Sequence, residues 1–278
     1  MNSALRGLVG SARCAGRTPQ RGVRILVISL AACLIGIAPA AVAVDVLEET
    51  IEQKYVLEPN PTLSIRNTDG SIRVYAGNGP EIFIRAVKKA YTSERLKGII
   101  VDVKATRTNI AIETIFPPRK NALSDRSGKV EYLVIVPQTT RITNLDLVNG
   151  EMLVDGLRGG SATAHLVNGW LGGHNCFGDL NLSTVNGRLD IAYSWWEEHK
   201  FTAKASSVNG ALRAILPSHG AVAIRARTET GQIANAFAPN QNRSSGPVRV
   251  LDTATGPGPN SAIELKTTNG NIKIEKSY

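Results

Sequence analysis

From residue 62 onward, apolar and polar side chains alternate with period two through seven segments, and each segment turns at a glycine. The turn reads Asn-Gly at 149/150, 168/169, 186/187, 209/210 and 269/270, with Asp69-Gly70 as an early copy and Thr230-Gly231 as a late one. Four residues before the position that precedes the glycine stand Ile65, Leu145, Ala164, Leu182, Ala205, Ala226 and Leu265, all apolar. Two residues after the glycine stand Ile72, Met152, Leu171, Leu189, Leu212, Ile233 and Ile272, again all apolar. Six residues before it stand Leu63, Ala162, Leu180, Ala203, Ile224 and Ile263, with Thr143 as the exception. Between those two columns the residues are polar: Ser64, Asn144, Thr163, Asn181, Lys204, Arg225 and Glu264. The pattern predicts a strand, a tight turn and a second strand in every unit, with one face inward and the other outward. Successive glycines are 80, 19, 18, 23, 21 and 39 residues apart, which defines a unit of about twenty residues and predicts degenerate copies in the two long intervals.

Two architectures accommodate such a unit. Asn-Gly is a strong hairpin signal because both residues must take positive φ, and a chain of hairpins would be an antiparallel meander or sandwich. In a single-stranded parallel β-solenoid each unit is instead one coil, Asn-Gly is a corner, and like residues stack at about 4.8 Å per coil. Val148, Val167, Val185 and Val208 precede the Asn. A hairpin would turn this valine column outward, whereas a corner leaves room to turn it inward. The Asn column suits a ladder of side-chain amides. The expected fold is therefore an all-β parallel solenoid, with the hairpin meander as the alternative. Structural roles fall to Gly70, Asn149, Gly150, Asn168, Gly169, Asn186, Gly187, Asn209, Gly210, Gly231, Asn269 and Gly270.

Between the first and second turns the repeat loosens. Residues 81–90, 99–106, 109–116 and 129–137 read as strands by alternation and β-branched content. A helical turn is expected over 92–98, and loops over 117–128, 240–247 and 253–261, which are rich in Pro, Gly, Ser or Asn. No inter-domain linker interrupts the chain. A single domain is expected over 44–278, less regular over 44–140 and repetitive over 141–278.

Charge changes this picture little and location changes it more. Of 278 residues, 32 are Lys or Arg and 23 are Asp or Glu. Five arginines, Arg6, Arg13, Arg17, Arg21 and Arg24, lie in residues 1–43, which hold no acid, so the remainder carries only about +4 and no nucleic-acid partner is expected. Twenty residues from Ile25 to Val44 are almost wholly apolar and are followed by Asp45, Glu48 and Glu49. That order predicts a secretory signal cleaved after Ala43, at Ala41-Val42-Ala43. A retained membrane anchor and lipidation at Cys33, in Leu30-Ala31-Ala32-Cys33, are the alternatives. Cys14 and Cys33 belong to the leader, which leaves Cys176 without a disulfide partner.

The segments TLSIRNTDGSIRV (62–74) and KVEYLVIVPQTTRITNLDLVNGEMLVDGLRG (129–159), with the recurrent LVNG, TVNG, SVNG and TTNG, resemble the bacterial exported domain family of unknown function called "putative adhesin". The resemblance runs from Tyr55 to Tyr278 and lies in the order of the motifs, a Val-Pro, then a strand, then Val-Asn-Gly. It implies a β-solenoid, export, and association with the bacterial envelope, in the periplasm or at the cell surface. It implies no catalytic residue. The chain departs from the family in its long leader and in the insertion YSWWEEHKF (193–201), which lengthens the interval from Gly187 to Gly210.

Candidate chemistry is sparse. Trp195 and Trp196 lie in the insertion beside Glu197, Glu198 and His199, where they would either cap an edge of the core or stack on a sugar ring or protein partner. Trp170 follows a turn glycine and would join them if it shares their flank. Asp146, Glu151, Asp155, Asp179 and Asp190 are the carboxylates a solenoid polysaccharide lyase or hydrolase would need to cluster, yet they occupy different repeat positions. His165, His174, His199 and His219 share no column, and His174 with Cys176 supplies two ligands where zinc needs three or four. No metal or cofactor is expected. The residues point to a non-enzymatic interaction module whose partner is an envelope protein or polysaccharide, with self-association through exposed end coils. A carbohydrate-active enzyme and a membrane-held envelope-stress regulator are the alternatives.

Overall fold

The computed structural model describes residues 45–118, 127–237 and 248–277, and the backbone of 243–245. The expected signal segment, its cleavage site and the candidate lipidation at Cys33 lie outside the described residues. No helix among the described residues is long and apolar enough to cross a membrane. The chain is all-β, and its strands join in one mixed sheet. The single helix among the described residues is α1 (Ser93–Gly98), capped where the Thr92 hydroxyl accepts the Arg95 amide.

The repeats form the parallel part of the sheet. The strands β2 (Thr62–Gly77), β7 (Arg141–Asp155), β8 (Arg158–His174) and β9 (Phe177–Ala192) each pass through their turn glycine without a break, and each pairs in parallel with the next. Like pairs with like: Asn149 faces Asn168, and Asn168 faces Asn186. In these four strands the turn lies inside a parallel ladder, between two arms that together form one winding. The next winding is β10 (Thr202–Asn209) followed by β11 (Leu212–Pro217), and both lie parallel to β9.

The apolar columns face inward as the alternation requires. Ile72, Met152, Leu171, Leu189, Leu212, Ile233 and Ile272 are all buried, as are the seven residues of the column headed by Ile65. Each Ile, Leu or Met among them stabilises the fold by about 1.5–3 kcal/mol, and each alanine by less. Thr143 breaks its column because the strand bulges there. The register shifts so that Ile142 pairs with Leu63 and is itself buried. The displaced Thr143 hydroxyl donates to the Leu63 carbonyl at 3.2 Å.

Three expectations are corrected. The valines do not turn inward: Val148 and Val208 are exposed and Val167 and Val185 half-exposed, so the corner is made without burying them. The inward position is one residue earlier, at Leu147, Leu166, Thr184 and Ser207. The described residues of the 80-residue interval do not stack as a run of degenerate windings between the two glycines either. Gly70 pairs directly with Gly150, and the described intervening strands form a cap beyond β2. In that cap β5 (Asn109–Ile115) and β6 (Lys129–Pro137) lie parallel to the two arms of β2 on its far side, while β4 (Ile100–Ala105), β3 (Glu81–Ala90) and β1 (Leu47–Val56) run antiparallel. Finally, chain order and stacking order diverge at the other end. The last winding, β16 (Ser261–Asn269) and β17 (Ile272–Ser277), lies between β10–β11 and the earlier winding β12 (Val222–Thr230) with β13 (Ile233–Asn235). The strands β15 (Val248–Thr255) and β14 (Arg243–Ser245) add antiparallel beyond β12, so parts of both expected loops, 240–247 and 253–261, are strand.

The glycine column is explained by close approach. A Cβ on Gly150 would overlap the carbonyl of Gly70, and the same clash recurs from Gly169 to Gly150, Gly187 to Gly169, Gly210 to Gly187, Gly270 to Gly210 and Gly231 to Gly270. That succession reproduces the stacking order, including the inserted last winding.

Candidate functional site

The insertion interrupts the shortest connections in the fold. Windings β7 and β8 return through brief turns at Gly156 and Asn175, both with positive φ, but after β9 the chain runs through Tyr193–Phe201 before β10 begins. Its aromatic residues gather on Phe177. Tyr193, Phe177 and Phe201 are buried, with ring centroids 5.3 to 6.0 Å apart. The Tyr193 hydroxyl donates to the Cys176 carbonyl at 2.9 Å, and burial pushes its pKa well above the ordinary value.

The two neighbouring tryptophans have different surroundings. Trp196 is half-buried, 5.5 Å from Tyr193 and 5.8 Å from Phe201, and its indole lies over Gly220. Trp195 is at the margin, 40% exposed, with Phe177 6.0 Å away. Its Nε1 donates to Glu197 Oε1 at 3.1 Å, Glu197 pairs with Arg158 at 2.7 Å, and the Arg158 guanidinium stands 5.9 Å from the Trp195 ring centre. These contacts fasten the insertion to the return turn at 156–160.

Trp170 makes no ring contact with either residue among the described residues. It lies on the outward face of the second arms, over Gly172, where its Nε1 donates to Asp190 at 2.8 Å and its ring meets His174 edge-on at 5.9 Å. Asp190 is also held by Arg188. Burial draws the His174 pKa below its ordinary value against the opposing pull of Asp155 and Asp190.

The other candidates are engaged separately. Asp146 pairs with Arg66 at 3.6 Å and Glu151 with Arg73 at 3.0 Å. Asp155 accepts from Asn175 at 3.3 Å, and Asp179 accepts the Thr202 amide at 2.9 Å. His165 meets Ser183 at 3.0 Å, and the backbone carbonyl of His199 accepts the Ser261 hydroxyl. His219 is exposed. Burial raises the Cys176 thiol to about 12, so it is an unreactive core group. Among the described residues no group of three or more His, Cys, Asp or Glu is arranged to hold a metal ion.

Two grooves on the outward face of the first arms meet at Ser161 and Asp179. One, of about 420 Å³, includes Asn60, Arg141, Gly159 and Gly160. The other, of about 480 Å³, includes Thr163, Asn181, Thr202 and Lys204. Asp179 is thus the one carboxylate candidate on this grooved surface. Arg158 and Phe177, which seat the insertion, were not singled out in the sequence. They are register partners one winding apart, so aligning the return turns as well as the corners would have revealed them.

No family model matches the chain, and no curated protein matches it. Solved structures similar to it include a "putative cell adhesion protein" from Clostridium sporogenes at 14% identity, covering 82% of this chain and 100% of that one with a TM-score of 0.47. A "putative adhesin" from Bacteroides fragilis is 11% identical, covering 81% and 97% with a TM-score of 0.25. A "putative lipid binding protein" from Parabacteroides distasonis is 7% identical, covering 81% and 96% with a TM-score of 0.31.

Proposed function

We propose that the chain is an exported, non-enzymatic interaction module of the bacterial envelope, in which a parallel solenoid serves as a stiff frame and the aromatic insertion makes the contact. The observation that carries it is the contrast between dispersed acids and a gathered aromatic cluster. Four of the five candidate carboxylates are tied to a basic side chain or a neighbouring polar side chain, and Asp179 accepts a backbone amide. Trp195, in contrast, presents a large apolar surface on an anchored loop, with Trp196 packed behind it. A rigid aromatic anchor loses little conformational entropy on binding, which is why such residues dominate recognition surfaces. Trp170 occupies a different face and is assigned a secondary role at most.

The test is binding of the purified chain to peptidoglycan sacculi, outer-membrane vesicles and extracted envelope polysaccharide, beside the Trp195→Ala/Trp196→Ala double variant. Loss of binding to one of these by a variant whose circular dichroism shows it folded, or by Trp195→Ala alone, supports the assignment, and undiminished binding to all of them removes it.

A further inference from the structure

Wherever two windings bring polar side chains together at the corner, the fold joins them. Asn149, Asn168, Asn186, Asn209 and Asn269 are all bonded to one another in sequence along the stack. On the outward face of the first arms the treatment differs. The side chains of Ser161, Thr163, Asn181 and Thr202, and the guanidinium of Arg141, make no hydrogen bond or ion pair among the described residues. All five line the joined grooves. Asp179, at the junction, uses one carboxylate oxygen for the Thr202 amide, and a carboxylate has further lone pairs to offer.

From these groups we infer that the joined groove is a binding site for a neutral oligosaccharide, which names the ligand class of the interaction module proposed above and rests on that proposal. Two observations select this chemistry. Charge along the groove is balanced, Arg141 and Lys204 against Asp179 and Glu264, with Lys204 and Glu264 3.8 Å apart, so a ligand with one strong sign of charge meets as much repulsion as attraction. The uncharged polar side chains of the lining are hydroxyls and amides, which both donate and accept, as a polyhydroxylated chain requires, and Ala162 and Leu180 lie among them. The aromatic insertion is tied to the same strands. Arg158, whose guanidinium stands 5.9 Å from the Trp195 ring centre, precedes Gly159 of the groove wall, and Phe177, whose ring is 6.0 Å from that of Trp195, precedes Asp179 by two residues. An indole and convergent polar groups carried by the same strands suit the apolar face and the hydroxyl rim of a sugar.

The experiment is calorimetric titration of the full chain with three tetrasaccharide probes: cellotetraose and chitotetraose, both neutral, and tetragalacturonic acid, which is anionic. A neutral probe is expected to bind more tightly than the anionic one. Asp179→Asn, which keeps an oxygen for the Thr202 amide, and Trp195→Ala are each expected to weaken it at least tenfold. Arg141→Ala removes a side chain with no structural partner and is expected to weaken binding several-fold with an unchanged melting temperature. Tighter binding of the anionic probe, no binding of either neutral probe at millimolar concentration, or binding indifferent to Asp179→Asn and Arg141→Ala overturns the assignment. If neutral sugars fail while Trp195→Ala/Trp196→Ala still abolishes envelope binding, the sugar site falls and the interaction module stands. If both measurements are silent, both fall.

Discussion

The side-chain amide of Asn168 donates to Oδ1 of Asn149, nineteen residues earlier, at 2.9 Å, and its own Oδ1 accepts from Asn186 at 3.0 Å. The same bond repeats from Asn209 to Asn186 and from Asn269 to Asn209, is closed at one end by Asn149 donating to Asp69 at 2.8 Å, and at the other by the Thr230 hydroxyl donating to Asn269 at 2.7 Å. All the bonds point one way, toward a carboxylate that can only accept when ionised. Asn168→Ala removes two of them and is expected to lower stability by about 1–3 kcal/mol, read from chemical denaturation. Asn168→Asp puts an acceptor oxygen opposite Asn149 Oδ1, where the amide had donated, and is expected to cost more than the alanine at neutral pH. Equal losses for the two variants would show that the ladder contributes no directional bonding.

Gly169 has φ of 132° and a Cβ there would run into the Gly150 carbonyl. Both the backbone conformation and the contact are with fixed backbone, so no side-chain rotation relieves them. Gly169→Ala is expected to destabilise by about 3 kcal/mol or more, whereas alanine at Gly79, which meets nothing, leaves the melting temperature within a few degrees of the parent.

Because β16 and β17 are inserted between two earlier windings, the stack is incomplete until they are in place. Deleting residues 261–278 takes one partner strand from each of β10, β11, β12 and β13 and exposes two parallel edges. The truncated chain is expected to be aggregated or unfolded by size-exclusion chromatography and circular dichroism. A monomeric, fully folded truncation would contradict the stacking order.

Trp195 and Trp196 are expected to separate binding from stability. Trp196→Ala empties a space bounded by Tyr193, Phe177 and Phe201 and should cost about 3–5 kcal/mol, less whatever its exposed part does not bury. Trp195→Ala, at the margin, should cost about 1 kcal/mol or less in stability while removing the contact surface. Thermal melts of the two single variants decide this.

Stability is expected to fall with acid in two steps. Burial, partly opposed by Asp155 and Asp190, holds His174 below its ordinary 6.5, so the folded chain takes up that proton less readily than the unfolded one. Its contribution is whole above pH 6.5 and declines as pH falls below it. Glu275 is held below its ordinary 4.5 by hydrogen bonds from Lys273 and Arg213. At Glu131 burial pushes upward, but Lys129 and Lys89 together outweigh it and the net shift is again downward. Both contribute above pH 4.5 and are lost as pH falls through their lowered values. His174→Gln should flatten the upper step alone in melts taken from pH 8 to pH 3.

Period-two alternation, the glycine column and the Asn-Gly turns were enough to assign strands, inward faces and a ladder, because these depend on residues near one another in the chain and on sterics that each unit repeats. They specified Ile72, Met152 and Leu171 as core without any knowledge of their neighbours. Order along the stack was beyond them. Every winding offers nearly the same pair of edges, so the pairing of Gly70 with Gly150 and the seating of the last winding between two earlier ones were decided by which edges the two antiparallel caps leave open. The candidate site follows the same division. The tryptophans were legible as an insertion, but Arg158 and Phe177 come from separate windings, and only the approach of one winding to the next sets both beside Trp195; the groove at Asp179 likewise draws its lining from several windings.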